Sequence, residues 1–446
     1  MAAESGTAAG LETVIEDLDH DGRGVGRVAD KVVFVDGALP VERVRFRYTK
    51  GGRRYDQAVT EAVLEASPNR VEPACPVFGV CGGCSLQHLD GEAQVAAKER
   101  LLRDNLERVG GLAPEAWLAP IDGPHWGYRA KARLSIRRVR SKGVLVGFRE
   151  QASSFVTQMN ACPVLEPRLE ALIEPLKGLV AGMSRPDRVP QAELTATEGD
   201  AVAVIRHLTA LTDADRERLA DFQQAHGAVL ETQAGGPETA VPLDPERPAE
   251  LFYRLPDFGL TLRFGSTDFI QVNAAVNRQL VSRALAQLDP RPGERVLDLF
   301  CGIGNFALPI AGAGAEVLGL EGEGALVERA RANAESNGLA AGTEFRSADL
   351  DAVPLGEVPG VAGSDKVLLD PPRSGAVEAV KQLAEGPRPG RIVYVSCNPA
   401  TLARDAGILA HAGYRLAAAG IANMFPHTAH VESIARFELG EASGER

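Results

Sequence analysis

The sequence contains no apolar run that approaches the ~18 residues needed to cross a membrane. Its first ten residues, MAAESGTAAG, lack both the basic start and the apolar core of a signal peptide. These absences argue against a membrane-spanning or exported protein. We therefore expect a cytoplasmic protein in which residues 1–10 are disordered.

Cysteine is scarce, since the 446 residues include only six, at positions 75, 81, 84, 162, 301 and 397. So few cysteines in a long cytoplasmic chain argue against a disulfide framework and favour metal binding or catalysis. Basic residues are outnumbered, with 48 Lys and Arg against 60 Asp and Glu and a net charge of −12. A nucleic-acid partner would need a local basic patch, because the surface as a whole repels a polyanion.

Two basic patches stand out against this acidic background. In RVRFRYTKGGRR, Arg45 and Arg47 alternate with apolar residues, and a period of two places basic side chains on one face of a strand. In YRAKARLSIRRVRSKG, Arg129, Lys131 and Arg133 alternate in the same way. A solvated strand face would explain either patch alone, but two in one acidic protein favour contacts with nucleic-acid phosphates.

The residue pattern changes along the chain, which indicates several domains. Residues 11–66 alternate short β-like runs with Gly and Asp turns, which is typical of a small closed β-barrel. After a proline-rich linker, residues 91–110 have helical spacing and end at a glycine pair. Residues 127–260 are mixed and carry no sign of chemistry. From about residue 266, apolar strands alternate with Ala-rich helices, which predicts a doubly wound α/β domain.

The cofactor site of the α/β domain is defined partly by what it lacks. In RVLDLFCGIGNFALPIA a strand runs into a turn with Gly302 and Gly304, but the third glycine of a dinucleotide fingerprint is missing. No phosphate loop ending in Lys-Ser/Thr is present either. Glu321, Asp349 and Asp370 follow three further strands, whose carboxyl ends meet in one crevice. Since a carboxylate can accept both ribose hydroxyls of a nucleoside, S-adenosylmethionine fits better than NAD or ATP.

Five motifs make the sequence recognisable: DLFCGIGNF, DPPRSG, VSCNPATLARD, FIQVN and MFPHTAHVES. Together they resemble the RNA (uracil-5-)-methyltransferase family, and the likeness runs through the whole chain. It implies a multidomain α/β fold, with a TRAM domain (an OB-like, RNA-binding β-barrel) at 11–68 and an α+β central domain at 69–262. A doubly wound, Rossmann-like class I methyltransferase domain is expected at 263–446. A helix within 91–120 is expected to pack on this catalytic domain.

Four cysteines, in CPVFGVCGGC and NACPVLEP, form one predicted metal site. Four thiolates suit either zinc or a [4Fe-4S] cluster. The resemblance implies the iron–sulfur cluster of the ribosomal branch of the family, held by Cys75, Cys81, Cys84 and Cys162, and we expect its role to be structural. The tRNA branch usually lacks both the barrel and the cluster, so 23S rRNA is the expected substrate, methylated at an unpaired or loop uridine.

The resemblance also implies roles for individual residues. Cys397, at the end of the strand RIVYVS, matches the nucleophile that adds to C6 of uracil, and Glu432 matches the base that removes the C5 proton. We expect a lowered pKa for the Cys397 thiol, because it must be partly ionised to attack. Cys301 is interpreted as a packing residue. The S-adenosylmethionine site is expected to comprise Gln271, Phe300, Asn305, Glu321, Asp349 and Asp370.

Other functions stay open on the sequence. A radical S-adenosylmethionine enzyme usually carries CxxxCxxC, whereas this chain has CxxxxxCxxC and a separate crevice for the methyl donor. An amino methyltransferase would have an aromatic residue after Asp-Pro-Pro, where Arg373 stands. The remaining alternatives are a tRNA uracil-5 methyltransferase and an rRNA-binding assembly factor that keeps the crevice. A monomer is expected.

Overall fold

The computed structural model describes residues 11–440, so the predicted disorder of residues 1–10 lies outside the described part. The first unit is a barrel of five strands: β1 (Leu11–Leu18), β2 (Gly24–Val28), β3 (Lys31–Asp36), β4 (Arg43–Lys50) and β5 (Tyr55–Glu65). The barrel is closed in the order β1-β2-β3-β5-β4. In β4, Val44 and Phe46 point into the core while Arg45 and Arg47 are exposed, as the period of two predicts.

A linker joins the barrel to the rest of the chain through α1 (Gly91–Asn105), a π-helical turn (Leu106–Gly110) and the two-residue strand β6 (Ala116–Trp117). The predicted helix therefore ends earlier than residue 120, at a glycine stop where Gly111 has a φ of +66°. Leu102 and Leu106 are fully buried against Leu402 in the core of the carboxy-terminal domain. The helix thus packs on the carboxy-terminal domain.

The central domain is built on a six-stranded sheet with three helices: β7 (Lys131–Val139), β8 (Gly143–Gly147), α2 (Pro167–Glu170), α3 (Ile173–Ala181), β9 (Gln191–Ala196), β10 (Ala201–Arg206), α4 (Asp213–His226), β11 (Val229–Gln233) and β12 (Ala240–Pro242). The strand order is β12-β11-β10-β9-β7-β8. A separate hairpin follows, formed by β13 (Phe252–Leu255) and β14 (Leu260–Arg263). The predicted domain boundary at 262/263 falls inside β14, and Leu260 and Leu262 pack in the core of the next domain.

The carboxy-terminal domain alternates strands and helices: α5 (Ala274–Leu288), β15 (Arg295–Leu299), α6 (Ala307–Gly312), β16 (Glu316–Glu321), α7 (Gly324–Ser336), β17 (Thr343–Ser347), β18 (Lys366–Leu369), α8 (Val377–Glu385), β19 (Arg391–Ser396), α9 (Pro399–His411), β20 (Tyr414–Ala422) and β21 (Glu432–Leu439). The sheet order is β17-β16-β15-β18-β19-β21-β20-β6. Strands β15 to β19 are parallel, and β21 is antiparallel to both of its neighbours.

This sheet positions the site, because the carboxyl ends of the five parallel strands meet at one edge. Apolar strand residues bury both faces of the sheet in two core clusters, as the near-continuous apolar runs of parallel strands require. Within residues 11–440, no helix is both long and apolar enough to cross a membrane.

Candidate active site

The turn after β15 exposes its backbone at the carboxyl edge of the sheet. Gly302 and Gly304 have φ angles of +52° and +95°, which glycine adopts without steric cost. Phe300 has a φ of +64°, a conformation that costs a non-glycine residue ~1–3 kcal/mol and that clusters at functional sites. The amides of Phe300 and Cys301 hold the turn by donating to the Leu320 carbonyl at 2.9 and 3.1 Å.

Acidic residues follow three of the parallel strands at this edge. The Glu321 carboxylate, at the end of β16, accepts a hydrogen bond from the Gly302 amide at 3.1 Å. Asp370, directly after β18, accepts one from the Gln271 side-chain amide at 3.4 Å. Asp349 lies two residues after β17 and is exposed. Gln271 and Asp370 therefore contact each other, Glu321 holds the glycine turn, and Asp349 follows β17, the edge strand of the sheet.

Asn305 is fixed by two other parts of the fold. Its Oδ1 accepts from the Tyr253 hydroxyl on β13 at 2.9 Å and from Asn277 Nδ2 on α5 at 3.0 Å. Its Nδ2 donates back to Asn277 Oδ1 at 3.1 Å. This pairing holds the beginning of α6 beside the glycine turn.

Asp298 is a buried carboxyl that the sequence analysis did not single out. It lies within β15, is fully buried, and neither carboxyl oxygen has a hydrogen-bond partner among the described residues. Burial raises its pKa well above the usual range, and the negative charge of Asp370 adds to the effect. A single charge inside the apolar segment VLDLF was the available signal. The protonated carboxyl can donate a hydrogen bond below the crevice.

Strand register brings Cys397 and Glu432 together. In the antiparallel pair of β19 and β21, Ser396 lies opposite Ser433. One step further, Cys397 follows the end of β19 and Glu432 begins β21, so the two residues lie opposite each other at the edge that Asp370 also occupies. Cys397 is half-buried, whereas Glu432 is 2% exposed and its Oε1 has no hydrogen-bond partner within residues 11–440.

The expectation of a lowered pKa for Cys397 is wrong for this structure. Burial raises the pKa of the thiol to about 11, the negative charges of Glu432 and Asp370 add to the rise, and Arg373 opposes it. Burial also raises the pKa of Asp370 to about 7, and that of Glu432 well above its usual range with a further contribution from Asp370. Because these groups repel one another when charged, their protonation states are linked.

Cys397 opens into a cleft of about 1050 Å³ that lies between the barrel, the cysteine loop and the catalytic domain. Arg373 also lines this cleft and donates a hydrogen bond from Nη2 to His430 Nδ1 at 2.6 Å. Asn398 donates to the Arg373 carbonyl at 3.1 Å and caps α9. Arg373 is the cation that favours the thiolate, and the sequence analysis gave it no role.

The four cysteines of the predicted metal site come together. Cys75, Cys81, Cys84 and Cys162 line one cavity of about 380 Å³. Within residues 11–440, no three of their sulfur atoms lie within 4.8 Å of one another. Burial raises the pKa of Cys84 to about 11 and that of Cys162 to about 12, with repulsion between the sulfurs adding to both. A bound cation would reverse this protonation.

The predicted RNA-contacting residues differ in their accessibility. Arg45 and Arg47 are exposed, but each pairs with a barrel carboxylate, Glu12 or Glu61, at 3.4 Å. The structure corrects the prediction that Lys131 contacts RNA. Its ammonium is largely buried and donates to the carbonyls of Ser266 and Asp268 at 2.8 and 2.6 Å.

The other two predicted positions in the central domain also have internal contacts. Arg133 is exposed and pairs with Glu193 at 2.9 Å, and Arg129 lines the cysteine cavity. By contrast, the hairpin of β7 and β8 carries four exposed basic residues that have no carboxylate within 4.0 Å among the described residues: Arg137, Arg138, Arg140 and Lys142.

Comparison with known proteins identifies the family. The family described as tRNA (Uracil-5-)-methyltransferase matches residues 91–437. The chain belongs to this family. Among curated members, it is 54% identical to the 23S rRNA (uracil(1939)-C(5))-methyltransferase RlmD of Thiobacillus denitrificans, over 95% of this chain and 98% of that protein. The corresponding protein of Acidithiobacillus ferrooxidans is 52% identical over 96% and 97%.

A solved structure of a related enzyme agrees with the fold. The tRNA (uracil-54, C5)-methyltransferase of Pyrococcus abyssi, in complex with S-adenosyl-L-homocysteine, matches with a TM-score of 0.73 and 27% identity, over 96% of this chain and all of that one. The class I methyltransferase fold is therefore confirmed, as is membership of the uracil-5-methyltransferase family. The closed five-stranded barrel fits the predicted OB-like domain.

Proposed function

We propose that the protein transfers the methyl group of S-adenosylmethionine to C5 of a uridine in 23S rRNA, at the position that its relatives name as uracil 1939. The observation that carries the chemistry is the register that sets Cys397 opposite Glu432 beside Asp370. Identity above 50% to rRNA enzymes over nearly the whole chain supports rRNA as the substrate rather than tRNA. The barrel does not separate the two substrates, since the Pyrococcus tRNA enzyme also matches 96% of this chain.

Uracil presents a specific chemical difficulty, because C5 alone is too weak a nucleophile to attack a sulfonium methyl group. Cys397 removes this difficulty when its thiolate forms a bond to C6 and the electrons of the C5–C6 double bond move onto the enolate. C5 then bonds to the methyl group, and the methyl–sulfur bond breaks with its electrons left on sulfur. S-adenosylmethionine supplies the methyl group and an electron-accepting sulfonium.

Glu432 completes the reaction by accepting the C5 proton. The electrons of the C5–H bond re-form the double bond and expel the Cys397 thiolate, so that the enzyme ends with one extra proton on the carboxylate. A buried glutamate suits this task, because burial raises its affinity for a proton. We assign cofactor binding to the predicted crevice residues: Gln271, Phe300, Asn305, Glu321, Asp349 and Asp370.

We assign the 1050 Å³ cleft to the substrate RNA. A uridine in a duplex cannot reach Cys397, so the target base must be unpaired or turned out of its stack. Barrel residues bound the cleft on one side, so the proposed RNA path passes beside residues 11–68, the predicted TRAM domain.

The hairpin of β7 and β8 is proposed as an RNA-binding surface in place of Lys131. Replacing Arg137, Arg138, Arg140 and Lys142 by Ala should flatten the salt dependence of rRNA binding by about three units of log K per log salt, because each lost phosphate contact contributes about 0.7–0.9. Filter binding between low and moderate salt measures the slope. Arg45→Ala with Arg47→Ala should have a smaller effect, since these residues are already ion-paired. Arg216→Ala with Arg218→Ala on α4 removes two charges and is the matched control for Arg137→Ala with Arg138→Ala, so an equal flattening by these two pairs would contradict the proposal.

We propose that the four-cysteine cavity holds a [4Fe-4S] cluster with a structural role. Zinc binds sulfur at about 2.3 Å, which would bring neighbouring sulfurs to roughly 3.8 Å, whereas no three of these sulfurs lie within 4.8 Å of one another among the described residues. A larger inorganic core suits that spacing, and four thiolates are its usual donors. The proposed methyl transfer needs no external oxidant or reductant, so the cluster would brace the loop.

Protein purified without oxygen should contain about four iron and four sulfide ions per chain. Cys84→Ser should lower the iron content. Cys301→Ser should not, because Cys301 lies outside the cavity. One zinc ion per chain with no sulfide would contradict the cluster.

The function is tested by incubation of the enzyme with labelled S-adenosylmethionine and either unmodified 23S rRNA or unmodified tRNA. We expect 5-methyluridine in the rRNA at a single position. Label in tRNA alone would favour the tRNA activity named for the Pyrococcus structure. Tight rRNA binding without methyl transfer would favour an assembly factor.

A further inference from the structure

The loop of residues 423–431, between β20 and β21, leads directly into Glu432 and is held by the cysteine loop. The His427 carbonyl accepts hydrogen bonds from the amides of Ser85 and Leu86, both at 2.9 Å. Ser85 follows Cys84 in the chain, and its hydroxyl also accepts from the Ala429 amide at 3.1 Å. The residues after the last cysteine of CGGC therefore form hydrogen bonds with the segment that precedes Glu432, the proposed base.

The backbone of His427 is turned for this contact. Its φ of +66° lies in the left-handed region, which is unusual for a residue other than glycine. Gln94 on α1 holds both sides of the residue: Oε1 accepts from the His427 amide at 2.8 Å, and Nε2 lies 3.3 Å from His427 Nδ1. The imidazole also stacks on Trp126 at 3.9 Å. The conformation is thus imposed by surrounding contacts.

The same loop is fastened at further points. Lys98 Nζ on α1 donates to Asn423 Oδ1 at 2.7 Å and to the Phe425 carbonyl at 2.8 Å. The Tyr128 hydroxyl of the central domain donates to the Pro426 carbonyl at 3.0 Å. At Gly22 of the barrel, an added Cβ would lie only 3.0–3.3 Å from side chains of both loops. Barrel, linker helix and central domain all converge on this segment.

Glu432 directly follows this segment in the chain. Its Oε1 has no hydrogen-bond partner within the described residues, so side-chain bonds do not fix the carboxylate. Strand pairing holds the Glu432 backbone opposite Ala422 as well as the chain that follows it, and the 423–431 loop holds the chain that precedes it. We propose that His427 is a positioning residue. Through its bonds to the cysteine loop, it fixes the position of the Glu432 carboxylate. This inference rests on the proposed role of Glu432 as the base for the C5 proton.

His427→Val and His427→Asn form the test pair, because a β-branched residue resists a positive φ, whereas Asn tolerates it and can still bond Gln94. We expect His427→Val to turn over at least about tenfold more slowly than the wild type. Its KM for rRNA should stay within about twofold of the wild-type value. A covalent protein–RNA adduct should accumulate on ordinary uridine. Denaturing gels measure the adduct. His427→Asn should restore turnover and remove the adduct.

Normal turnover by His427→Val, or slow turnover without an adduct, would overturn the inference. Gln94→Leu, which removes both contacts to His427, should give the same adduct and serves if the valine variant does not fold. As a readout apart from activity, hydrogen exchange of the 423–431 peptide should become faster in Cys84→Ser, and unchanged exchange would count against the coupling. If Glu432→Gln gives no adduct, the proposed base is wrong, which is a separate failure.

Discussion

Cys397→Ala is expected to abolish methylation of rRNA, with a loss of more than about 10³-fold in rate. Without a thiolate bonded to C6, C5 of uracil has no enolate character and cannot displace the methyl group from sulfur. Initial rates of label transfer from S-adenosylmethionine measure the loss. Binding of rRNA should remain, because the phosphate contacts do not involve this residue.

The same residue should be captured chemically. With rRNA that contains 5-fluorouridine, C5 carries fluorine, which cannot leave as a proton, so the methylated adduct cannot break down. We expect a stable protein–RNA complex on a denaturing gel, with Cys397 in the cross-linked peptide. Cys301→Ala is the matched control, since Cys301 is the other cysteine of this domain and the variant should still form the complex. An adduct in Cys397→Ala, or full activity of that variant, would rule out the covalent route.

Glu432→Gln should separate the two halves of the reaction. The amide has nearly the same shape but cannot accept the C5 proton, so methyl transfer proceeds once and the enzyme stays bonded to ordinary uridine. We expect turnover to fall by more than about a hundredfold, while the adduct reaches a large fraction of the enzyme. Glu438→Gln, further along β21, is the control and should behave as the wild type.

The pH dependence provides a second measurement on the same variant. A carboxylate must be ionised to act as a base, and burial raises the pKa of Glu432. Wild-type turnover should therefore fall as the pH is lowered through that raised pKa. Lowering the pH also protonates the Cys397 thiolate, whose pKa is about 11 in the free enzyme, and this should reduce turnover as well. Adduct formation by Glu432→Gln should keep only the dependence on the thiol. A profile identical to that of the wild type would contradict the assignment.

Much of this architecture could be predicted from the sequence, because periodicity and glycine placement act locally. The alternation of Arg45 and Arg47 with apolar residues predicted their exposed face on β4, and Gly302 with Gly304 predicted a turn at a strand end. The acids at three strand ends were predicted to converge because parallel strands share an edge. Glu432 was different, since only the family resemblance distinguished it from an ordinary strand acid.

What could not be predicted depends on contacts between distant segments. The pKa of Cys397 rises because burial and two carboxylates from other strands outweigh Arg373, and no local pattern reports that balance. Lys131 has the spacing of an exposed basic face, yet its ammonium donates hydrogen bonds to the carbonyls of residues 266 and 268 inside the protein. The helix of 91–110 ended as predicted near a glycine pair, but the strand that follows it gave no signal, because two residues are too short for a period.

That short strand, β6, has a consequence for how the protein is made. Its Ala116 pairs with Ala418 on β20, and neighbouring residues bond across a separation of 300 positions, as Glu115 does with Arg415. β20 otherwise presents an open edge of the catalytic sheet. A ribosome must therefore release nearly the whole chain before this edge can be covered, and the first hundred or so residues, although synthesised early, take up their final place only then. The enzyme cannot be divided at the start of its methyltransferase domain without leaving that edge bare.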